Sequence, residues 1–163
     1  MKKKGIEKRI IALSTVCVVI VLFMGVIPLH VTADDPTQIY VNPVSTTVSA
    51  GQTFTITIAC TPGQLIKSYE LRILFNPTFL TANAVTEGNL FNGYETFFNA
   101  GTINNTAGTI INIYNLIVGT GLVSTPGSLV SLLFTAKLTS GTSTIGLAQV
   151  GVTNETTFVP ITI

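Results

Sequence analysis

The sequence predicts an all-β domain, a two-sheet jelly-roll β-sandwich of about nine strands, and three observations carry that expectation. Past residue 33 the chain is rich in Thr, Val, Ile and Gly and poor in charge. Its apolar residues alternate with polar ones at period two, the pattern of strands wet on one face. Gly, Pro, Asn and Ser recur as punctuation between these runs, and no stretch after residue 33 carries a convincing helical period.

Lys2, Lys3, Lys4, Lys8 and Arg9 precede an apolar run over residues 10–29, and Val31-Thr32-Ala33 sets small residues where a signal peptidase would cut before Asp34. Residues 1–33 are therefore expected to form a helical signal peptide. About 20 apolar residues also suffice to cross a bilayer, so a retained membrane anchor is the alternative. Residues 34–163 are expected as one exported domain, secreted or held at the cell surface.

Within it, Ile39-Tyr40-Val41 and residues 44–48 read as extended segments broken by Asn42-Pro43. After the Ser49-Ala50-Gly51-Gln52 turn, Phe54, Ile56 and Ile58 alternate strictly with threonines. In the next strand Tyr69, Leu71, Ile73 and Phe75 share one face, and Ser68, Glu70, Arg72 and Leu74 the other, until Asn76-Pro77 stops it. Residues 81–86, 109–118, 129–138, 143–147 and 158–163 complete the expected strands, and residues 89–108 are the least regular part.

Composition excludes several functions. Residues 34–163 hold three cations (Lys67, Arg72, Lys137) against six acids (Asp34, Asp35, Glu70, Glu87, Glu95, Glu155), a net charge of −3. Without a basic stripe there is no footprint for a phosphate backbone, so no nucleic acid is expected as a partner. His30 precedes the expected cut, which leaves the domain without histidine, and no paired carboxylates stand at matched strand ends. No catalysis is expected. Calcium-loop spacing is absent, so neither metal nor other cofactor is expected. Cys60 is the one cysteine after residue 33, which leaves stability to the core.

Three segments in order resemble the cohesin family. The first is Ser49-Ala50-Gly51-Gln52-Thr53-Phe54-Thr55-Ile56. The second is Ser68-Tyr69-Glu70-Leu71-Arg72-Ile73-Leu74-Phe75-Asn76-Pro77, with Phe79-Leu80 and Val85-Thr86-Glu87-Gly88-Asn89-Leu90-Phe91 after it. The third runs from Gly119-Thr120-Gly121 through Gly127-Ser128-Leu129-Val130 and Leu133-Phe134 to Gly141, Ser143-Thr144-Ile145 and Leu147. The resemblance implies a nine-stranded jelly roll, related in fold to cellulose-binding modules, one sheet face of which receives a dockerin, a small calcium-loaded helical module. It implies contact positions at Glu70 and Arg72 and, on the strand entering Gly119, at Ile113, Asn115 and Leu116. Leu116-Ile117-Val118 is apolar where well-known dockerin binders look acidic, and Asn76 stands where the family usually has Asp.

Two other roles stay open: direct binding of polysaccharide, and a structural subunit of a surface layer or filament. Phe91, Tyr94, Phe97 and Phe98 are the candidates for stacking on sugar rings, although aromatics in such a loop more often close a core and the chain has no Trp. Asn104 and Asn154 head sequons and are candidate glycosylation sites.

Overall fold

The computed structural model describes residues 35–163. The apolar segment at residues 10–29 and the cut before Asp34 lie outside the described residues. In chain order the strands are β1 (Thr37–Asn42), β2 (Thr53–Thr61), β3 (Ser68–Leu74), β4 (Leu80–Glu87), β5 (Thr96–Asn99), β6 (Thr102–Asn104), β7 (Thr109–Ile117), β8 (Gly127–Ala136), β9 (Gly146–Thr153) and β10 (Ile161–Thr162). No helix occurs among the described residues. One sheet runs β10-β1-β2-β8-β4, and the other runs β5-β7-β3-β9 with β6 also paired to β7. All pairs are antiparallel except β1 with β10.

The two sheets enclose one core because each alternating strand turns its apolar half inward. Ile56, Ile58 and Cys60 on β2 face Tyr69, Leu71 and Ile73 on β3, as the period-two pattern requires, with Leu132 and Phe134 of β8 and Ile110 and Ile117 of β7 beside them. The Phe134 ring stacks on Phe54 at 5.9 Å and meets the edge of Phe75 at 5.3 Å. Tyr69 carries the only polar group of its buried stripe, and its hydroxyl donates to the Leu129 carbonyl at 2.6 Å, joining β3 to β8 across the core.

Several expected elements differ. Residues 44–48 form a largely exposed loop, since Pro43 ends β1 and offers no N–H to a ladder. The irregular stretch holds β5 and β6, both short. The strand expected at residues 143–147 begins at Gly146 and runs to Thr153. At the free edge of β4, the Asn105 side chain stands in for a strand partner: the Ala82 N–H donates to its Oδ1 at 2.8 Å, and its Nδ2 donates to the Ala82 carbonyl at 2.9 Å. This occupies part of an edge that would otherwise invite another strand.

Burial pushes the Cys60 thiol up to about 12 and raises the Tyr69 hydroxyl well above its usual range. Both groups hold their protons longer folded than unfolded, so their contribution to stability is complete below about pH 8.5 and declines as pH rises through the unfolded pKa values. Thermal melts are expected to be indifferent to reductant and chelator near neutrality and to move down above about pH 9.

Candidate functional site

The outer faces of the two sheets differ in chemistry. Outside β2 and β8 lie Thr53, Thr55, Thr57, Thr61, Ser131 and Thr135, a carpet of short hydroxyls interrupted by Leu133, with Tyr40 on β1. The outer face of β5-β7-β3-β9 carries long side chains: Phe97 on β5, Tyr114 and Leu116 on β7, Glu70 and Arg72 on β3, and Gln149 on β9. Register places them together, because Phe97 pairs with Leu116, and Tyr114 with Glu70. Phe97 is 56% exposed and its ring stacks on Tyr114 with centroids 6.0 Å apart, while Leu116 is 37% exposed. Val118, just past β7, continues the apolar row at 44%. A ridge of large apolar groups on one face is what a partner surface uses.

Beside this ridge the face dips into a depression of about 330 Å³ lined by Glu70, Arg72, Ile111, Asn112, Tyr114 and Gln149. Two β-bulges produce it. On β7, Ile111 and Asn112 together oppose the span between Leu71 and Ile73; on β9, Ala148 is the extra residue between Gln149, which pairs with Arg72, and Leu147, which pairs with Ile73. Arg72 thus stands between a bulge on each neighbouring strand. Asn112 adopts φ 59°, a left-handed conformation that asparagine tolerates better than most residues. Its carbonyl accepts from Asn99 Nδ2 at 2.9 Å. Gly101, at φ 75°, packs so close that a Cβ there would stand 2.4 Å from the Ile111 carbonyl oxygen. Only glycine fits this support of the bulge.

The β7 bulge corrects two expected contact residues. It adds a residue between Ile110 and Ile113, so both face the core; Ile113 is 0% and Asn115 2% exposed, and neither side chain is open to a partner. Asn115 Nδ2 donates to Glu87 Oε1 at 2.7 Å, and Thr96 Oγ1 donates to the same oxygen at 2.8 Å, so Asn115 ties β7 to the end of β4. Glu70, Arg72 and Leu116 do point outward. Asn112, Tyr114 and Gln149 were not among the expected contacts. The run Ile110-Ile111-Asn112-Ile113, whose apolar spacing breaks strict alternation at a residue tolerant of positive φ, was the available signal for the first two.

The aromatic loop also divides. Phe91 is buried against Tyr69, ring centroids 5.7 Å apart, which corrects its reading as a stacking residue. Phe98 is half-buried and packs on the core. Tyr94 is spent on the Gly119-Thr120-Gly121 bend, its ring against Gly121 and its hydroxyl donating to the Leu122 carbonyl at 3.3 Å. Phe97 is the most exposed of the four and the one that stands on the outer sheet face, while Tyr94 remains 42% exposed at the bend. Asn104 and Asn154 each head a turn in which Oδ1 accepts backbone N–H groups two and three residues on. Among the described residues no group of three or more Asp, Glu, His or Cys side chains could hold a metal ion.

Solved structures of similar fold include a non-cellulosomal cohesin from the archaeon Archaeoglobus fulgidus (TM-score 0.60, 15% identity, covering 78% of this chain and 85% of that one). A type I cohesin–dockerin complex from Clostridium thermocellum gives TM-score 0.61 at 19% identity, covering 80% and 89%. A cohesin module of a family 33 glycoside hydrolase from Clostridium perfringens gives 0.59 at 20%, covering 77% and 88%. No curated protein sequence matches the chain. The family model described as the cohesin domain matches residues 39–162, nearly the whole of the described sandwich, and the chain belongs to the cohesin family.

Proposed function

We propose that this chain is a non-catalytic receptor module, exported from the cell, whose β5-β7-β3-β9 face docks a protein partner of the dockerin type in a polysaccharide-degrading or cell-surface assembly. The observation that carries the reading is the contrast between the two outer faces: the Phe97, Tyr114 and Leu116 ridge with Glu70 and Arg72 on one, short hydroxyls on most of the other. Family membership supplies the partner class, since cohesins of this fold are described in complex with dockerins. Direct sugar binding has weaker support, because of the expected stacking residues Phe91 is buried, Phe98 is half-buried, and Tyr94, though 42% exposed, lies against the Gly119-Thr120-Gly121 bend, which leaves Phe97 as the one of the four exposed on the sheet face.

The test is calorimetry of the full-length chain against calcium-loaded dockerin modules from the same genome, with sedimentation on insoluble polysaccharide beside it. Saturable binding to a dockerin and none to polysaccharide is expected. Retention on polysaccharide without dockerin binding would replace the reading with a carbohydrate module, and self-assembly without either would make the chain a structural subunit.

Export is tested separately. N-terminal sequencing of protein recovered outside the cell is expected to begin at Asp34, after Val31-Thr32-Ala33. Full-length chain found only in membranes would replace secretion with anchoring.

A further inference from the structure

We infer that the depression around Arg72 is a carboxylate pocket, which selects a protein partner presenting an Asp or Glu side chain to this face. The inference rests on the reading that the outer face of β5-β7-β3-β9 is the docking face, and it names the chemistry of what docks there.

Three cations occur among residues 35–163, and two are engaged. Lys67 Nζ pairs with Glu155 at 3.3 Å, and Lys137 Nζ donates to the Pro77 carbonyl at 2.6 Å. The Arg72 guanidinium makes no hydrogen bond or ion pair with the described residues, although Glu70 lies two residues away on the same strand face. Glu70 lies over the neighbouring strand instead: a Cβ at Gly151 would come within 2.8 Å of its Cγ. The glycine leaves room for the acid to lie across β9, and so the guanidinium stays uncommitted.

The surroundings of Arg72 suit an anion. Asn112 and Gln149 bring side-chain amides and Tyr114 a phenol to the rim, all able to donate, while Glu70 is the one carboxylate among the lining residues. An arginine fork meets a carboxylate through two parallel N–H···O bonds, which gives orientation as well as attraction. The depression is built rather than incidental, since both strands flanking Arg72 bulge at its level and the β7 bulge is held in a left-handed conformation by Asn99 and Gly101. Bulges concentrate where a side chain must be re-aimed, and strained backbone persists where its surroundings enforce it. Against the −3 charge of residues 34–163, a free arginine at the edge of an apolar ridge complements an acidic contact on the partner and opposes a basic one.

The experiment takes a calcium-loaded dockerin from the same genome that binds the full-length chain, and makes three versions of it with Glu, Gln or Lys at the position facing Arg72. Each is titrated by calorimetry against wild type, Arg72→Gln, Arg72→Glu and, as a control on the face itself, Phe97→Ala. Wild type is expected to prefer the Glu version over the Lys version by at least about thirty-fold, the scale of a buried charge pair losing one partner. Arg72→Glu is expected to reverse that order, and Arg72→Gln to flatten both the preference and the salt dependence. If Phe97→Ala weakens binding while Arg72→Glu leaves the order unchanged, the docking face stands and the carboxylate pocket falls. Should neither variant change binding, or no dockerin bind at all, both readings fall. Oligogalacturonate is titrated in parallel, and saturable binding that disappears in Arg72→Glu would assign the pocket to an acidic sugar and overturn the protein-partner inference.

Discussion

Ile113→Asp is expected to leave the domain unfolded or to lower its melting temperature by more than about 12 °C. The side chain is fully buried between the sheets, on the strand that pairs with β3 at Leu71, and Gly101 packs against it. A carboxylate there meets no cation, and an unpaired buried charge costs at least about 4 kcal/mol against a total stability of about 5–15 kcal/mol. Ile113→Val keeps the shape and is expected to cost about 1 kcal/mol. Circular dichroism melts of the two variants decide the matter. A folded Ile113→Asp domain with ordinary stability would mean that β7 presents its other face to solvent, and the assignment of the outer row would have to be inverted.

The family resemblance implies outward positions at Ile113, Asn115 and Leu116, and of the three only Leu116 faces solvent. On β2 and β3 the apolar residues fall at strict alternate positions, so Ile56 and Ile58, or Tyr69, Leu71 and Ile73, could be assigned inward and Glu70 and Arg72 outward from spacing alone. On β7 the extra residue at the bulge shifts the phase in mid-strand. Ile110 and Ile113 are three apart yet both buried, and the outward positions become Asn112, Tyr114 and Leu116. A bulge is a pairing property, fixed by what the neighbouring strands do, and here β3 on one side and the Asn99-Ala100-Gly101 corner on the other settle it. The depression was still less legible, because it combines a bulge at Asn112 with another at Ala148, brought together only by their shared pairing with β3. Phe91 and Phe97 illustrate the same limit: six residues apart in one loop and alike in composition, they end in the core and on the surface because β5 pairs with β7 only from Thr96 onward.

Leu116→Asp is expected to fold and yet to lose the partner, weakening dockerin binding by at least about 2 kcal/mol, the scale of a central contact. Leu116 differs from Ile113 in facing water: it is partly exposed, paired with Phe97 on one side and Ser68 on the other, so its replacement by a solvated carboxylate leaves no buried charge. The domain should melt within about 3 °C of wild type, since surface substitutions away from packed features stay near 0.5 kcal/mol. In the complex the same carboxylate would be pressed among apolar groups without a counter-ion, next to the Phe97 and Tyr114 rings, and desolvation would then work against association. Most of the loss should appear as faster dissociation, because burial and not steering carries this part of the face. Stability and binding must be measured on the same preparation. An unfolded Leu116→Asp variant would place the residue in the core, and a folded one that binds as wild type would move the docking site to the hydroxyl-rich face of the opposite sheet.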